Sequence, residues 1–270
     1  LKKGDIVTRK SYGNDINFII SDIKDNTALL IGLEHRLIAD APLIDMDYAF
    51  TRQDGSLSQA GSVSNIYKYK AIIKARNTSK SLLSGTMCGT ILHIDGDPFY
   101  LKQCMDQYEK LGVSAVGVFI EEDKQPDVVV DLLKQYRPNI LVITGHDAIK
   151  KGLINSMDIN NYKNSKYFTK GVIKAREYNS NYDELVIIAG GCKSHYEALM
   201  KAGANFASSP ERILINITDP VYVACKFANT SVKEYLNIET ISKDVLSGFG
   251  KMGGIETRGQ CREVKPMFNY

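Results

Sequence analysis

A chain of 270 residues can hold one sizeable α/β domain and a smaller module. Its net charge is only +3, with Lys and Arg dispersed, which speaks against a nucleic-acid partner, and no apolar run approaches the ~20 residues that cross a bilayer. Five cysteines (Cys88, Cys104, Cys192, Cys225, Cys261) are odd in number, far apart and without a CxxC pair, which argues against a disulfide framework or structural zinc and for a reducing interior.

Leu1 is not an initiator methionine and no signal-peptide pattern follows, so a trimmed chain is expected. Residues 1–50 read as short strands, Asp5–Thr8, Asn17–Ser21 and Thr27–Gly32, punctuated by turn signals at Tyr12-Gly-Asn-Asp15 and Lys24-Asp-Asn26. The opening Lys2-Lys-Gly-Asp-Ile-Val-Thr-Arg9 points to a small SH3-like or KOW-like β-barrel. Without an aromatic stripe for stacking bases, its expected partner is a neighbouring domain rather than RNA.

Residues 51–86 form the next segment. Thr51–Ser64 has a linker composition, and Asn65–Leu83, with Tyr67-Lys-Tyr-Lys-Ala-Ile-Ile-Lys-Ala-Arg76, reads as a basic connecting helix or a docking arm. Residues 87–232 alternate regularly: strand Thr90–Ile94, helix Pro98–Leu111, strand Val113–Ile120, helix Asp127–Tyr136, strand Ile140–Thr144 and, after a polar excursion, helix Ser165–Tyr178. Strand Leu185–Ala189, helix Lys193–Lys201 and strand Asn205–Ser208 complete the series. This succession predicts a doubly wound, mostly parallel sheet with right-handed crossovers. Residues 233–270 are less periodic and read as a C-terminal extension, loop-like at Gly248–Gly254.

Two strands share one construction, Ile140-Leu-Val-Ile-Thr-Gly-His146 and Leu185-Val-Ile-Ile-Ala-Gly-Gly-Cys192. Unbroken apolar runs suit strands buried on both faces, and the carboxyl ends of such strands are where open α/β sheets place their ligands. Cys192 and His146 are therefore candidate nucleophile and base. A helix beginning at Lys193 would aim its N-terminus at the sulfur and favour the thiolate, and the backbone N–H of Cys192 could face an oxyanion. His195 is a competing base. Asp95 and Asp97, in His93-Ile-Asp-Gly-Asp97, end the first strand at the same edge and could hold a cation, either magnesium or a substrate arginine; Asp97 before Pro98 also suits a helix N-cap. Ser208 closes the fifth strand there and could line the cleft. Acid–base chemistry on a thiol calls for no cofactor and no metal.

Other readings compete. A cysteine amidase of the glutamine-amidotransferase type would place its histidine after the cysteine and a glycine where Ser194 stands. A magnesium-dependent phosphotransfer site at Asp95-Gly-Asp97 and a non-enzymatic scaffold are the others.

A hydrophobic block ending in Gly-His and another ending in Gly-Cys resembles the caspase-like, clan CD cysteine peptidases. That resemblance implies a caspase-like sheet and an oxyanion donor in the backbone N–H of the residue after the histidine, here Asp147. Some arginine-specific members carry an acidic residue just before the cysteine. Gly190 and Gly191 stand there, so the resemblance leaves Asp95 and Asp97 to supply the charge. Lys3–Tyr12, Ile91–Asp97, Val142–Asp147, Ala189–Leu199 and Ala202–Pro210 together resemble the YabG family, sporulation-specific proteases of spore-forming Firmicutes. This implies an endopeptidase acting in the cytoplasm of the sporulating cell and the developing spore coat, with no membrane partner. It also implies cleavage after arginine in spore coat and germination proteins, and self-processing at Arg52 or next at Arg258. The oligomeric state is left open.

Overall fold

The computed structural model describes residues 1–49, 72–75, 85–150, 156–243, 246 and 251–264. The chain divides into two units, Leu1–Tyr69 and Lys70–Tyr270. The linker-like stretch Thr51–Ser64 and Arg52 lie outside the described residues.

In the first unit β1 (Ile6–Arg9), β2 (Phe18–Lys24), β3 (Thr27–Gly32), β4 (Ile38–Pro42) and β5 (Met46–Tyr48) form an antiparallel sheet ordered β4-β3-β2-β1-β5. Asp25 and Asn26 both have positive φ, the conformation a two-residue hairpin between right-twisted strands demands. Val7, Phe18, Ile20, Ala28, Leu30, Ala41 and Met46 pack together in this unit's core. The last two strands carry too few apolar residues to stand out in sequence.

The second unit is built on β6 (Ile72–Ala75), β7 (Thr86–Met87), β8 (Ile91–Asp95), β9 (Ala115–Phe119), β10 (Ile140–Thr144), β11 (Val186–Ala189), β12 (Phe206–Ser208), β13 (Tyr235–Leu236), β14 (Met252–Gly254), β15 (Thr257–Arg258) and β16 (Arg262–Glu263). Its helices are α1 (Pro98–Lys110), α2 (Gln125–Tyr136), α3 (Ser165–Tyr178), α4 (Tyr196–Lys201), α5 (Asp219–Asn229) and α6 (Ile238–Ile241). A seven-stranded sheet runs β14-β12-β11-β10-β8-β9-β6. The five inner strands pair in parallel, and the outer β6 and β14 pair antiparallel.

Successive strand residues face opposite sides. Ile91, Ile140, Val142, Val186 and Ile188 meet α1 and α5 on one face, while Leu92, Ile94, Leu141, Ile143 and Ile187 meet α2, α3 and α4 on the other. Strands with both faces covered have no use for polar alternation, which is why β10 and β11 read as unbroken apolar runs.

Three segments depart from the sequence reading. Ile72–Ala75, expected within a basic helix, is an edge strand whose backbone pairs with β9; two adjacent β-branched residues suit an open sheet edge better than a helix. The rest of that expected helix lies outside the described residues. Met252–Gly254, expected as loop, pairs with β12, and Thr257–Arg258 pairs with β13, so part of the C-terminal extension completes the domain. Finally, α4 starts at Tyr196 rather than Lys193: Lys193 has φ +58°, and the His195 ring caps the helix by accepting the Ala198 N–H. The six-residue helix thus starts four residues beyond Cys192, and a dipole-stabilised thiolate does not follow from it.

Candidate active site

β8, β10 and β11 are neighbours running the same way, so their carboxyl ends meet at one edge of the sheet. Asp97 follows β8, His146 follows β10 and Cys192 follows β11. The two inner tips come into backbone contact: a Cβ placed on Gly191 would lie 2.2 Å from the Gly145 carbonyl oxygen and 3.7 Å from the Asp147 nitrogen. Only glycine permits that approach. It sets the backbone turns that lead into His146 and Cys192 against each other.

Asp97 divides its carboxylate between two tasks. Oδ1 caps α1 by accepting the N–H groups of Phe99 (2.8 Å) and Tyr100 (3.4 Å), with Pro98 at the first helical position. Oδ2 lies 2.8 Å from His146 Nε2. An Nε2–H donated to this carboxylate leaves Nδ1 as the basic nitrogen, the assignment the hydrogen-bond partner dictates. Tyr100 packs edge-on against the imidazole, and the His146 backbone is held from both sides, its N–H by Glu122 Oε1 and its carbonyl by the Asn164 amide, each at 2.8 Å.

On the cysteine side, Gly190 has φ +103° and turns the chain sharply. Ser194 Oγ accepts the Gly191 N–H and Ser208 Oγ donates to the Gly191 carbonyl. Cys192 is buried, its Sγ 3.6 Å from the Ile215 carbonyl oxygen. Asp147 ties the two tips together: Oδ1 accepts from the Ala148 and Asn164 N–H groups, and Oδ2 accepts from the Ser165 and Ser194 hydroxyls. Burial pushes the Asp147 carboxyl above the usual carboxylate range, with these four donors acting against the shift. Among the described residues no backbone acceptor takes the Asp147 backbone N–H.

The remaining expected site residues have inward duties. Asp95 is fully buried; Oδ1 accepts the Asp97 N–H and Oδ2 the Thr144 hydroxyl, so it braces the tips of β8 and β10 from beneath instead of lining a cleft. Ser208 is fully buried and supports the Gly191 turn. His195, the competing base, is occupied as the cap of α4 and by the Met157 carbonyl.

Glu122, which the sequence reading passed over, fills the space beside Gly96 and Gly145, where an added Cβ would come within 2.3 Å and 2.6 Å of its carboxyl oxygen. It follows β9, and nothing in the local pattern reveals that two glycines from other strands would make room for it. Burial raises its carboxyl above the ordinary range.

A second His–Asp–Cys grouping lies deeper. His93, Asp95 and Cys104 bring one ligand-type atom each within 4.8 Å of one another, all fully buried. Their atoms already have protein partners. Tyr108 donates to His93 Nδ1, His93 Nε2–H reaches Thr144 Oγ1, Thr144 passes its proton toward Asp95, and Cys104 Sγ lies 3.4 Å from the Ile217 carbonyl.

The YabG peptidase U57 family model matches residues 2–266. The chain belongs to this family. The sporulation-specific protease YabG of Bacillus subtilis (strain 168) is 39% identical over 289 residues, covering 97% of each chain. A solved structure of a cobalamin-binding protein from Desulfitobacterium hafniense DCB-2 is 15% identical, covers 51% of this chain and 56% of its own, and has a TM-score of 0.31, too distant to bear on the argument. As a YabG-family member the chain is a sporulation-associated cysteine endopeptidase. No helix among the described residues is long and apolar enough to cross a membrane.

Proposed function

We propose that Cys192, His146 and Asp97 form the catalytic centre of this peptidase. The observation that carries the reading is the 2.8 Å contact between His146 Nε2 and Asp97 Oδ2, on a strand tip whose backbone touches the one bearing Cys192. His146 Nδ1 takes the thiol proton and returns it to the leaving amine, while Asp97 holds the ring and stabilises the imidazolium. The Asp147 N–H, together with that of Cys192, receives the oxyanion. The thiol is buried and donates to the Ile215 carbonyl, a bond that gives way when the sulfur attacks a substrate. The order of strands, with histidine and cysteine ending adjacent members, supports a caspase-like arrangement, and the antiparallel first unit is read as the SH3-like or KOW-like barrel.

The deeper grouping gives a second reading, with Cys104 as nucleophile. Access to the base favours the first reading: the His93 side chain is 0% exposed, whereas that of His146 is 18% exposed. Stable alkylation of Cys192 in the native protein, with loss of activity in proportion and Cys104 unmodified, is the expected result. Proportional loss on labelling Cys104 alone would reverse the assignment.

Cleavage after arginine in spore coat and germination proteins is the proposed specificity, exercised in the sporulating cell and its developing coat. Asp95 and Asp97 spend their oxygens within the protein, so we assign the guanidinium to Glu122, whose carboxylate accepts the His146 backbone N–H and, among the described residues, no side-chain hydrogen bond. Glu122→Gln keeps an oxygen for the His146 N–H and loses the charge. It should lower kcat/KM for arginine peptides by about 10-fold or more. The raised Glu122 pKa also fixes a sign: the ionised carboxylate weakens the fold, so parent stability relative to the variant should fall as pH rises from the unfolded carboxylate pKa through the folded one, and then level. Tm measured against pH checks this. A parent that gains on the variant over that window would contradict it.

Self-processing is proposed at Arg52. Arg258 is less suited, since it sits in β15 paired with β13, and a scissile segment must extend into the cleft. Time-resolved intact-mass analysis should show a product ending at Arg52 in the parent and none in Cys192→Ala. The same product from both chains would exclude it.

A further inference from the structure

Cys88 and Cys261 flank the short antiparallel pair β7 and β16, in which Met87 opposes Arg262 and Thr86 opposes Glu263. Extending that register one step sets Cys88 opposite Cys261. The Val264 N–H bonds to the Gly85 carbonyl at 2.8 Å, making Val264 and Gly85 a hydrogen-bonded pair. Pairs alternate along an antiparallel ladder, so the cysteines fall on a non-hydrogen-bonded position, where Cα atoms approach to about 4.5 Å and a disulfide can close. The two sulfurs are 3.7 Å apart, with Cys88 partly exposed and Cys261 buried.

We propose that this pair is a reversible disulfide site, closed by exchange with a low-molecular-weight disulfide such as oxidised glutathione. The partly exposed Cys88 thiolate attacks one sulfur of the glutathione disulfide, forming a mixed disulfide and releasing one glutathione thiolate. The Cys261 thiolate then attacks Cys88 Sγ, forms the protein disulfide and expels the second glutathione thiolate. Two cysteine thiols are oxidised, one glutathione disulfide is reduced to two thiols, and the two cysteine protons end on them. Burial and the neighbouring sulfur push the Cys261 thiol up to about 11, so closure should speed up through the alkaline range.

The bond would join positions 173 residues apart and strap the segment carrying β14, β15 and β16 to the start of β8. Constraining so long a loop should stabilise the fold. In the test, the full chain is equilibrated at about pH 8 with oxidised glutathione or with dithiothreitol, its thiols are blocked, and disulfides are mapped without reduction. A peptide joining Cys88 to Cys261 is expected, with a Tm roughly 5 °C or more above that of the reduced protein, reversed by dithiothreitol. Cys88→Ser and Cys261→Ser should each lose the rise. A lasting glutathione adduct on Cys88 without the linked peptide, a linkage through other cysteines only, or a linked protein no more stable than the reduced one would each overturn the proposal. The parent measurement alone can do so if a variant does not fold.

Discussion

Cys192→Ala should lower kcat/KM for peptide cleavage by on the order of 10⁴-fold or more, because the proposed acyl intermediate forms on its sulfur. His146→Ala should fall to a similar floor, since residues acting as one unit do not lose activity additively. The contrast is with Cys104→Ala. That change removes a buried sulfur among Met105, Tyr108 and Val221 and should cost about 1 kcal/mol of stability while leaving cleavage close to the parent rate. Peptide kinetics beside thermal unfolding separate the two cysteines. An active Cys192→Ala and a dead, folded Cys104→Ala would move the chemistry from the strand tips into the core.

Asp97 has two functions that one substitution can part. Asp97→Ser keeps a hydroxyl able to cap α1 and is too short to reach His146, so Tm should stay within a few degrees of the parent. Turnover should not survive so well. With the imidazole free to rotate and its imidazolium unsupported, kcat should drop by about 100-fold or more, equivalent to at least ~2.7 kcal/mol, with KM little changed. Alkylation of Cys192 should slow in parallel, because the base no longer faces the thiol. If Asp97→Ser unfolds the helix but retains kcat in the remaining folded fraction, Asp97 is a cap alone and His146 is oriented by Tyr100 and its clamped backbone.

The sequence exposed the strands that carry this site because burial on both faces writes itself locally, as in Ile140–Thr144. The glycines at 145, 190 and 191 likewise marked sharp exits. The partner of His146 is less legible: Asp97 precedes it by 49 residues, and its sequence context offers a cation ligand or a helix cap, with nothing to point to an imidazole. Only the sheet order, which sets β8 against β10, gives the spare oxygen somewhere to go. The start of α4 was misjudged because Cys192-Lys-Ser-His precedes a strong helix former and continues its composition, while the break comes from a left-handed backbone at Lys193 that tertiary bonds impose. Gly253 and Gly254 suggested loop, yet an added Cβ there would strike Tyr196 or Phe206, so their glycines allow β14 to press close against the domain.

That last strand sets an order of events for the newborn chain. Among the described strands every other member of the large sheet has been synthesised before Met252 emerges, and until then β12, three residues long, lacks a partner on the edge away from β11. A bare edge invites pairing with other chains. Contacts of such wide sequence separation also form slowly. The large sheet is therefore completed late in synthesis, only once residues 252–254 have been made.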